Sequence, residues 1–586
     1  MSHDKPTITI KFLESMLQDG LINKTVFEKL RIKLRSFPST HHPIEGIAPL
    51  KLKHAAEPGI LLDDEYLSQW YATRFGMEYV ELDPLKLDVD AITAVMSKAF
   101  AQRHKIIAYA VNNNSVTVAT SEPEVTGWVA GLEHILRKEV KCVFASPVAI
   151  NKFQKEFYAL SHSIKGAKGE KYQDLGSGNL EALVELGKTG EVDANDQHIV
   201  QIVDWLLQYA YAQRASDIHI EPRRDKGNVR FRIDGVLHKV YDFPATVTNA
   251  VLARFKIMGR MDVAERRKPL DGRIKTKTPE GIEVELRIST LPTAFGEKLV
   301  ARIFDPGVLT KDFSSLGLDK NIEQKWLSMV AQPNGIVLVT GPTGSGKTTT
   351  LYTTLRMLAK PEVNVCTIED PIEMVDPALN QMQVHHDINV DFASGIRALL
   401  RQDPDIIMIG EIRDKETADM AVQAALTGHL VISTLHTNDS ASAVTRMIDL
   451  GVEPFLVNAS LLGIMAQRLV RTLCPECKAA KEVDEAAWRH LVHPFPLSVP
   501  KKVYYPVGCR QCRKTGYHGR QGIYELLSVN AKVKQHIHSG CDVRPIREQG
   551  LKDGMTLLRI SGAMKVAQGQ TTIEEVLRVA SPEMEN

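Results

Sequence analysis

The spacing of apolar residues changes several times along the chain. In 8–35, Phe12, Leu13, Met16 and Leu17 recur at helical spacing. Asp19-Gly20 interrupts them, and Phe27, Leu30, Ile32 and Leu34 resume, which predicts two short helices. From 59 to about 158 the pattern is mixed, with a helix over 66–75, a strand-like run at 78–82 and an alternating strand at 115–120. This is a compact α/β or α+β module without catalytic spacing, so binding or docking is its expected use. Residues 161–195 are polar and rich in Gly, Lys, Asp and Ser, as a flexible linker is, with a short helix expected over 180–186.

Order returns at His198. An amphipathic helix is predicted over 199–212, and strands over 218–222 and 229–233. Asp234-Gly235 separates the second from a further strand, a hairpin signal. A helix over 247–258 and strands near Asp271-Gly272, at 284–289 and at 299–304 complete a strand-rich domain. Between 309 and 472, Val/Ile-rich runs (GIVLVTG, NVCTIED, DIIMIGE, HLVISTLH) alternate with helical stretches. That is the pattern of a parallel sheet covered on both faces, whose ligand site lies in the loops after the strand C-termini. Helices are expected over 533–538, 545–551 and 573–580, and no internal repeat is present.

Composition narrows the classes. A chain of 586 residues exceeds what one core supports, so several domains are expected. With 72 basic and 71 acidic residues the net charge is +1, so nothing in the overall charge calls for nucleic acid, and no direct nucleic-acid partner is expected. No run approaches the length of a transmembrane helix, and MSHDKPTITIKF lacks the layout of a signal peptide. The expected location is the cytoplasm, with any membrane association made through a partner.

The first strong chemical signal is Gly341-Pro342-Thr343-Gly344-Ser345-Gly346-Lys347-Thr348, a complete G-x-x-x-x-G-K-[ST] motif, followed by Thr349. It follows the apolar run Ile336–Val339 and opens a helical stretch with Leu351, Leu355 and Leu358 on one face. Glycines let successive N–H groups face phosphate oxygens, and the helix N-terminus adds partial positive charge. Lys347 would reach the β- and γ-phosphates of a nucleoside triphosphate, and Thr348 would offer its hydroxyl to Mg²⁺. The bland alternative is a glycine-rich turn, which the flanking strand and helix disfavour.

Glu411 ends the strand Ile406–Ile409 after Gly410, where an acid holds a Mg²⁺-bound water or polarises the attacking one. Asp405 stands at the wrong end of that strand. Glu369, Asp370 and Glu373 follow another apolar run and are either metal ligands, a base or a solvated loop. His436, after LVISTL, is placed to sense the γ-phosphate, although a lone histidine is more often structural. Cys474-Pro-Glu-Cys477 and Cys509-Arg-Gln-Cys512 form two knuckles that suit a four-thiolate Zn²⁺ site, with a redox C-x-x-C pair as the alternative.

GPTGSGKTTT, TIEDPIE, LLRQDPDIIMIGEIRD and AALTGHLVISTLHTND occur in this order. They resemble the Walker A, Asp box, Walker B and His box of the secretion ATPases, within that group the type II secretion and type IV pilus assembly ATPases. ASDIHIEP, VRFRIDG and LRISTLPTAFGEKLVARIFD resemble the PAS-like domain before the motor in that family. The resemblance implies a docking module at 1–160, a linker at 161–195, a PAS-like domain at 196–306 and a RecA-like ATPase domain at 307–586. The last would contain a zinc element at 473–518. It also implies that Arg287 and Arg302 approach the nucleotide phosphates on domain closure, and that Arg397 and Arg401 serve interdomain or subunit contacts. Read singly, each arginine would be a surface salt bridge. The family's cyclic di-GMP pattern begins Arg-Leu-Gly. The corresponding stretch here begins Lys11-Phe12-Leu13, which argues against that ligand. The expected protein is a homohexameric ATPase working with an inner-membrane platform or a cytoplasmic docking protein. A non-hydrolysing nucleotide-dependent scaffold and a DNA-uptake motor are the alternatives.

Overall fold

A computed structural model describes residues 5–34, 41–56, 61–83, 87–167, 194–278, 281–304, 312–509 and 511–580, with 38 and 307. The chain divides into two units, Met1–Ile303 and Phe304–Asn586.

In the first unit the helices Lys5–Gln18 and Lys24–Lys33 fall where the apolar spacing puts them. Phe12, Leu13 and Met16 are buried with Tyr71 of the helix Asp64–Arg74. A three-stranded sheet follows, β1 (Ile106–Val111), β2 (Ser115–Thr120) and β3 (Glu139–Phe144). The run at 78–82 is not a full strand: only Tyr79 bridges to Phe144, through two backbone hydrogen bonds of 2.8 Å. The helix Pro147–Ala167 runs into the segment read as linker, carried by Phe153, Phe157 and Leu160 on its buried face. The helix expected over 180–186 lies outside the described residues.

The second half of this unit is a six-stranded sheet. Its strands are β4 (Asp217–Pro222), β5 (Lys226–Ile233), β6 (Val236–Pro244), β7 (Leu270–Lys277), β8 (Glu283–Thr293) and β9 (Gly296–Phe304), in the order β6-β5-β4-β9-β8-β7. Asp234 (φ 49°) and Gly235 (φ 87°) both take the left-handed conformation, which a two-residue turn between β5 and β6 requires. Val229, Phe231 and Ile233 point inward and join Leu206 of the helix Gln197–Ala212 and Phe255 of the helix Ala245–Met258 in one core. Lys256 is buried in that core. Its Nζ donates to Glu297 Oε1 at 2.9 Å and to the Glu265 carbonyl at 2.6 Å.

The second unit holds a seven-stranded sheet of β10 (Gly335–Thr340), β11 (Val365–Glu369), β12 (Asn380–Gln383), β13 (Ile406–Ile409), β14 (Leu430–Leu435), β15 (Leu461–Leu473) and β18 (Tyr517–Ser528). A two-stranded ribbon, β16 (Ala479–Lys481) and β17 (Val503–Tyr505), lies between β15 and β18 in the chain. The order is β12-β11-β13-β14-β10-β15-β18, with every neighbour parallel except β15 and β18. Alternation along β10 sends Ile336 and Leu338 to one core and Val337 and Val339 to another. A strand buried on both faces has to be apolar at every position, which is why these strands read as continuous runs.

The antiparallel β15–β18 pair is not expected from the sequence, and the helix Leu558–Ala567 adds to the helices of the C-terminal segment. The pattern LLGIMAQRLVRTL is long and interrupted by Gln467, Arg468 and Arg471, so its period does not separate strand from helix. Helix 533–538 is shorter than expected, Ala531–Lys534.

Breaking the Lys256–Glu297 pair strands a buried charge. Glu297→Leu should therefore cost about 3–5 kcal/mol, while Lys256→Met combined with Glu297→Leu should recover most of it. Thermal unfolding of the full chain measures the difference; equal losses in the single and double variants would count against the pairing.

Candidate functional site

β10 ends at Thr340 and the chain turns at once. Gly341 has φ 151°, and Gly344 (79°) and Gly346 (89°) are left-handed. A Cβ on Gly341 would lie 2.6 Å from the Gln467 carbonyl and from Ser345 Oγ. One on Gly346 would lie 2.7 Å from Gln467 Nε2. Two glycines are thus demanded by close approach as well as by conformation. Gly346 caps the helix Lys347–Leu358, with Thr348 and Thr349 half-buried in its first turn. Pro342, Thr343 and Gly344 are exposed. Ser345 is buried, and its Oγ has no hydrogen-bond partner. The loop curls around Lys347, whose Nζ donates to the carbonyls of Gly341 (2.7 Å) and Pro342 (3.3 Å). An orphaned hydroxyl, glycines with no space for a side chain and an enclosed ammonium fit a phosphate group.

Three adjacent strands converge here. β10 delivers Lys347, β13 delivers Glu411 and β14 delivers His436. His436 Nε2 lies 3.3 Å from Glu411 Oε2, and the Arg413 guanidinium pairs with the other carboxylate oxygen. Thr340 Oγ1 and Thr437 Oγ1 share a 2.7 Å hydrogen bond, and the Thr437 N–H donates to Thr340 Oγ1 at 2.9 Å. The loop after β14 is thereby stitched to the start of the P-loop. Burial pushes the Lys347 pKa down to about 8; the nearby Glu411 carboxylate opposes that shift, and the Arg468 cation adds to it.

The other acids occupy different surroundings. Glu369, at the end of β11, is buried and accepts hydrogen bonds from Tyr352 Oη (2.8 Å), Thr367 Oγ1 (2.8 Å), Gln381 Nε2 (3.3 Å) and the Glu373 N–H (3.4 Å). Burial pushes its pKa up despite these donors. Glu373 is half-buried in the following loop. Asp370 lies 3.6 Å from His386.

Arg287 and Arg302 belong to the first unit. Arg302, on β9, pairs with Asp217 Oδ1 at 3.0 Å and keeps its side chain 54% exposed. Arg287, on β8, is half-buried between the inward-facing Leu286 and Ile288, and Arg273 is its partner in the β7–β8 register. In the second unit Arg397 pairs with Glu416 at 3.0 Å, and Arg401 donates to the Arg397 carbonyl at 2.8 Å.

The four cysteines come together although 31 residues separate the two knuckles. Cys474 follows β15 directly and Cys512 precedes β18. Their sulfurs and those of Cys477 and Cys509 all lie within 4.8 Å of one another. The Cys474–Cys509 and Cys477–Cys512 separations are 3.8 and 3.7 Å. A tetrahedron with metal–sulfur bonds of about 2.3 Å has edges of about 3.8 Å. N–H groups of Gly508, Cys509 and Gly516 donate to these sulfurs, as they do to thiolates. The donor set fits a tetrahedral thiophilic ion with no position left for water.

Sequence reasoning missed Arg413, two residues after Glu411, and Tyr352 with Gln381 around Glu369. It also missed Gln467 and Arg468, buried beneath the P-loop. Two polar residues inside an otherwise apolar run were the available signal.

Because Lys347 titrates at about 8 instead of the ordinary 10.5, the folded chain loses that proton before the unfolded chain does. This group's contribution to folding stability therefore rises with pH between about 8 and 10.5. A bound triphosphate favours the ammonium, so affinity for ATP should fall as pH rises through about 8, and Lys347→Arg should flatten that fall. Titration with a fluorescent ATP analogue reads it; an affinity independent of pH in the native chain would contradict the assignment.

Residues 192–578 match the family described as Type II/IV secretion system protein, and residues 75–164 match the MshEN domain. The type IV pilus assembly ATPase TfpB of Acinetobacter baylyi is 51% identical over 576 residues, 97% of each chain. The type IV pilus assembly ATPase PilB of Myxococcus xanthus is 41% identical over 530 residues, 89% of this chain and 92% of its own. The type II secretion system ATPase E of Vibrio cholerae is 44% identical over 385 residues, 66% of this chain and 76% of its own. The family match takes in the P-loop, Glu411, His436 and all four cysteines, and the chain belongs to the type II/IV secretion system protein family.

Proposed function

We propose that this chain hydrolyses ATP to power the assembly of pilin or pseudopilin subunits, as the motor of a type IV pilus or type II secretion machine. The observation that carries this reading is the convergence of Lys347, Glu411 and His436 at the ends of three adjacent strands. The relative matched along nearly the whole chain is named a type IV pilus assembly ATPase, which favours the pilus.

The P-loop N–H groups and Lys347 bind the phosphates and hold them in line. Thr348 and Glu411 would hold Mg²⁺, which when bound neutralises charge on the phosphate oxygens. Glu411 orients the attacking water and accepts its proton, and His436 and Arg413 fix the carboxylate for that task. Glu369 shapes the neighbouring loop through Tyr352 and Gln381, and Glu373 is the second acid available to the metal shell. Arg302, released from Asp217, and Arg287 add guanidinium charge when the PAS-like domain closes on the motor. Cys474, Cys477, Cys509 and Cys512 would hold a structural Zn²⁺.

The working form is a homohexamer in the cytoplasm, peripheral to the inner membrane. No helix among the described residues is long and apolar enough to cross a membrane. The module at 1–160 docks an inner-membrane platform or cytoplasmic partner protein.

Lys347→Ala and Glu411→Gln should each lower steady-state phosphate release roughly 100-fold or more. Native turnover no faster than these variants would end the motor reading. Metal analysis of the full chain should return about one zinc per chain and far less for Cys477→Ser; a native value well below one would reject the zinc assignment.

A further inference from the structure

β15 carries two consecutive polar side chains, Gln467 and Arg468, that are 2% and 8% exposed. Consecutive strand residues project to opposite faces, so the pair reaches two different parts of the site. β15 is hydrogen-bonded to β10, with Ala466 in register with Thr340. Gln467 and Arg468 therefore begin where β10 ends, beneath the P-loop.

Gln467 holds the far end of that loop. Its Oε1 accepts from Thr350 Oγ1 at 2.8 Å, in the first turn of the helix that Lys347 opens. Its Nε2 and its carbonyl oxygen lie where side chains on Gly346 and Gly341 would stand. Arg468 holds the loop after β14, and a Cβ on Gly341 would lie 3.1 Å from its Nη1. Nη2 donates to the Asn438 carbonyl at 2.9 Å and to Asn438 Oδ1 at 3.2 Å, while Nη1 donates to the Gln467 carbonyl at 3.1 Å. Arg468 makes no ion pair among the described residues; Glu525 and Asp439 act on it through space only. A buried guanidinium spent on carbonyls and an amide is a costly way to brace a fold, since it gives up its water without gaining a carboxylate partner. Its fork instead ties the loop after β14 to the stretch of β15 that lies against Gly341.

We propose that Gln467 and Arg468 are positioning residues for ATP hydrolysis, Gln467 setting the phosphate-binding end of the P-loop and Arg468 tying the loop of His436, through Asn438, to β15 beneath it. This deepens the ATPase reading and rests on it. His436 in turn touches Glu411, so Arg468 acts on the hydrolytic step at two removes and Gln467 on nucleotide binding.

The two roles predict different kinetics in the full-length protein. Gln467→Leu should raise the ATP KM and the dissociation constant of a fluorescent ATP analogue at least about fivefold, with kcat within about twofold. Arg468→Met should lower kcat at least about tenfold with KM within about threefold, and Arg468→Lys, which keeps charge but loses the fork, should stay at least about fivefold down. Asn438→Ala should lower kcat in the same direction, and the Arg468→Met, Asn438→Ala double variant should be no worse than Arg468→Met alone. Full recovery by lysine would mean that charge, not position, matters and would overturn the proposal. So would additive losses in the double variant, or KM and kcat falling together with the melting temperature. If Arg468→Met does not fold, the lysine and Asn438 variants carry the same decision. Failure of the ATPase reading would instead appear as absent turnover in the native chain. The Gln467→Leu binding measurement then still decides, because an affinity unchanged from native overturns the proposal.

Discussion

The parallel pairing of β10 with β14 on one side and β15 on the other is the constraint on which the site depends. Register places Thr340 beside Leu435 and beside Ala466, so β10 and β14 leave the sheet at one level while β15 runs on past them. The chain after β10 must turn over β15 at Gln467 with too little space for side chains at Gly341 and Gly346. The chain after β14 must pass close enough for Thr340 and Thr437 to bond. The shape of the P-loop and its closeness to the loop of His436 are thus consequences of one hydrogen-bonding pattern. Moving β15 by one residue would exchange the faces of Gln467 and Arg468 and dismantle both loops.

The charges buried around the site are arranged to be completed by an anion. Lys347 folds onto its own loop's carbonyls, its pKa depressed by burial. Arg468 adds a second cation from below. Two buried acids do different work. Glu525 accepts from the Ser440 N–H and Oγ and from the Leu558 N–H, tying the helix Ser440–Asp449 and a C-terminal helix to β18. Glu369 is held by Tyr352 and Gln381. Each uses its lone pairs on neutral donors, whereas Glu411 is paired with His436 and Arg413 and acts on Lys347.

The cysteine cluster belongs to this frame through chain continuity. β15 passes under the P-loop and runs on to Leu473, and Cys474 is the next residue; Cys512 lies five residues before β18 begins. The Cys474 N–H also donates to the Gly516 carbonyl at 2.9 Å, closing the two knuckles. An ion held there clamps the ends of the antiparallel pair whose first strand forms the floor of the nucleotide site. A loop of this length would otherwise fray the strand ends, because its closure entropy opposes the pairing.

Local chemistry was enough to read the P-loop, the strand ending in Glu411, the Asp234-Gly235 hairpin and the two thiol knuckles. In each case a few adjacent residues state a backbone need or a ligand type on their own. The continuous apolar runs likewise announced a sheet buried on both faces. The strand order, the switch to an antiparallel β18 and the placing of Gln467 and Arg468 beneath the P-loop were decided only in three dimensions. They depend on pairings between segments far apart in the chain, for which an interrupted apolar run has no local signature. The same holds for the acids: Glu369 and Glu411 both end apolar strands, and it is the packing of Tyr352 and Gln381 against one, and of His436 beside the other, that separates them.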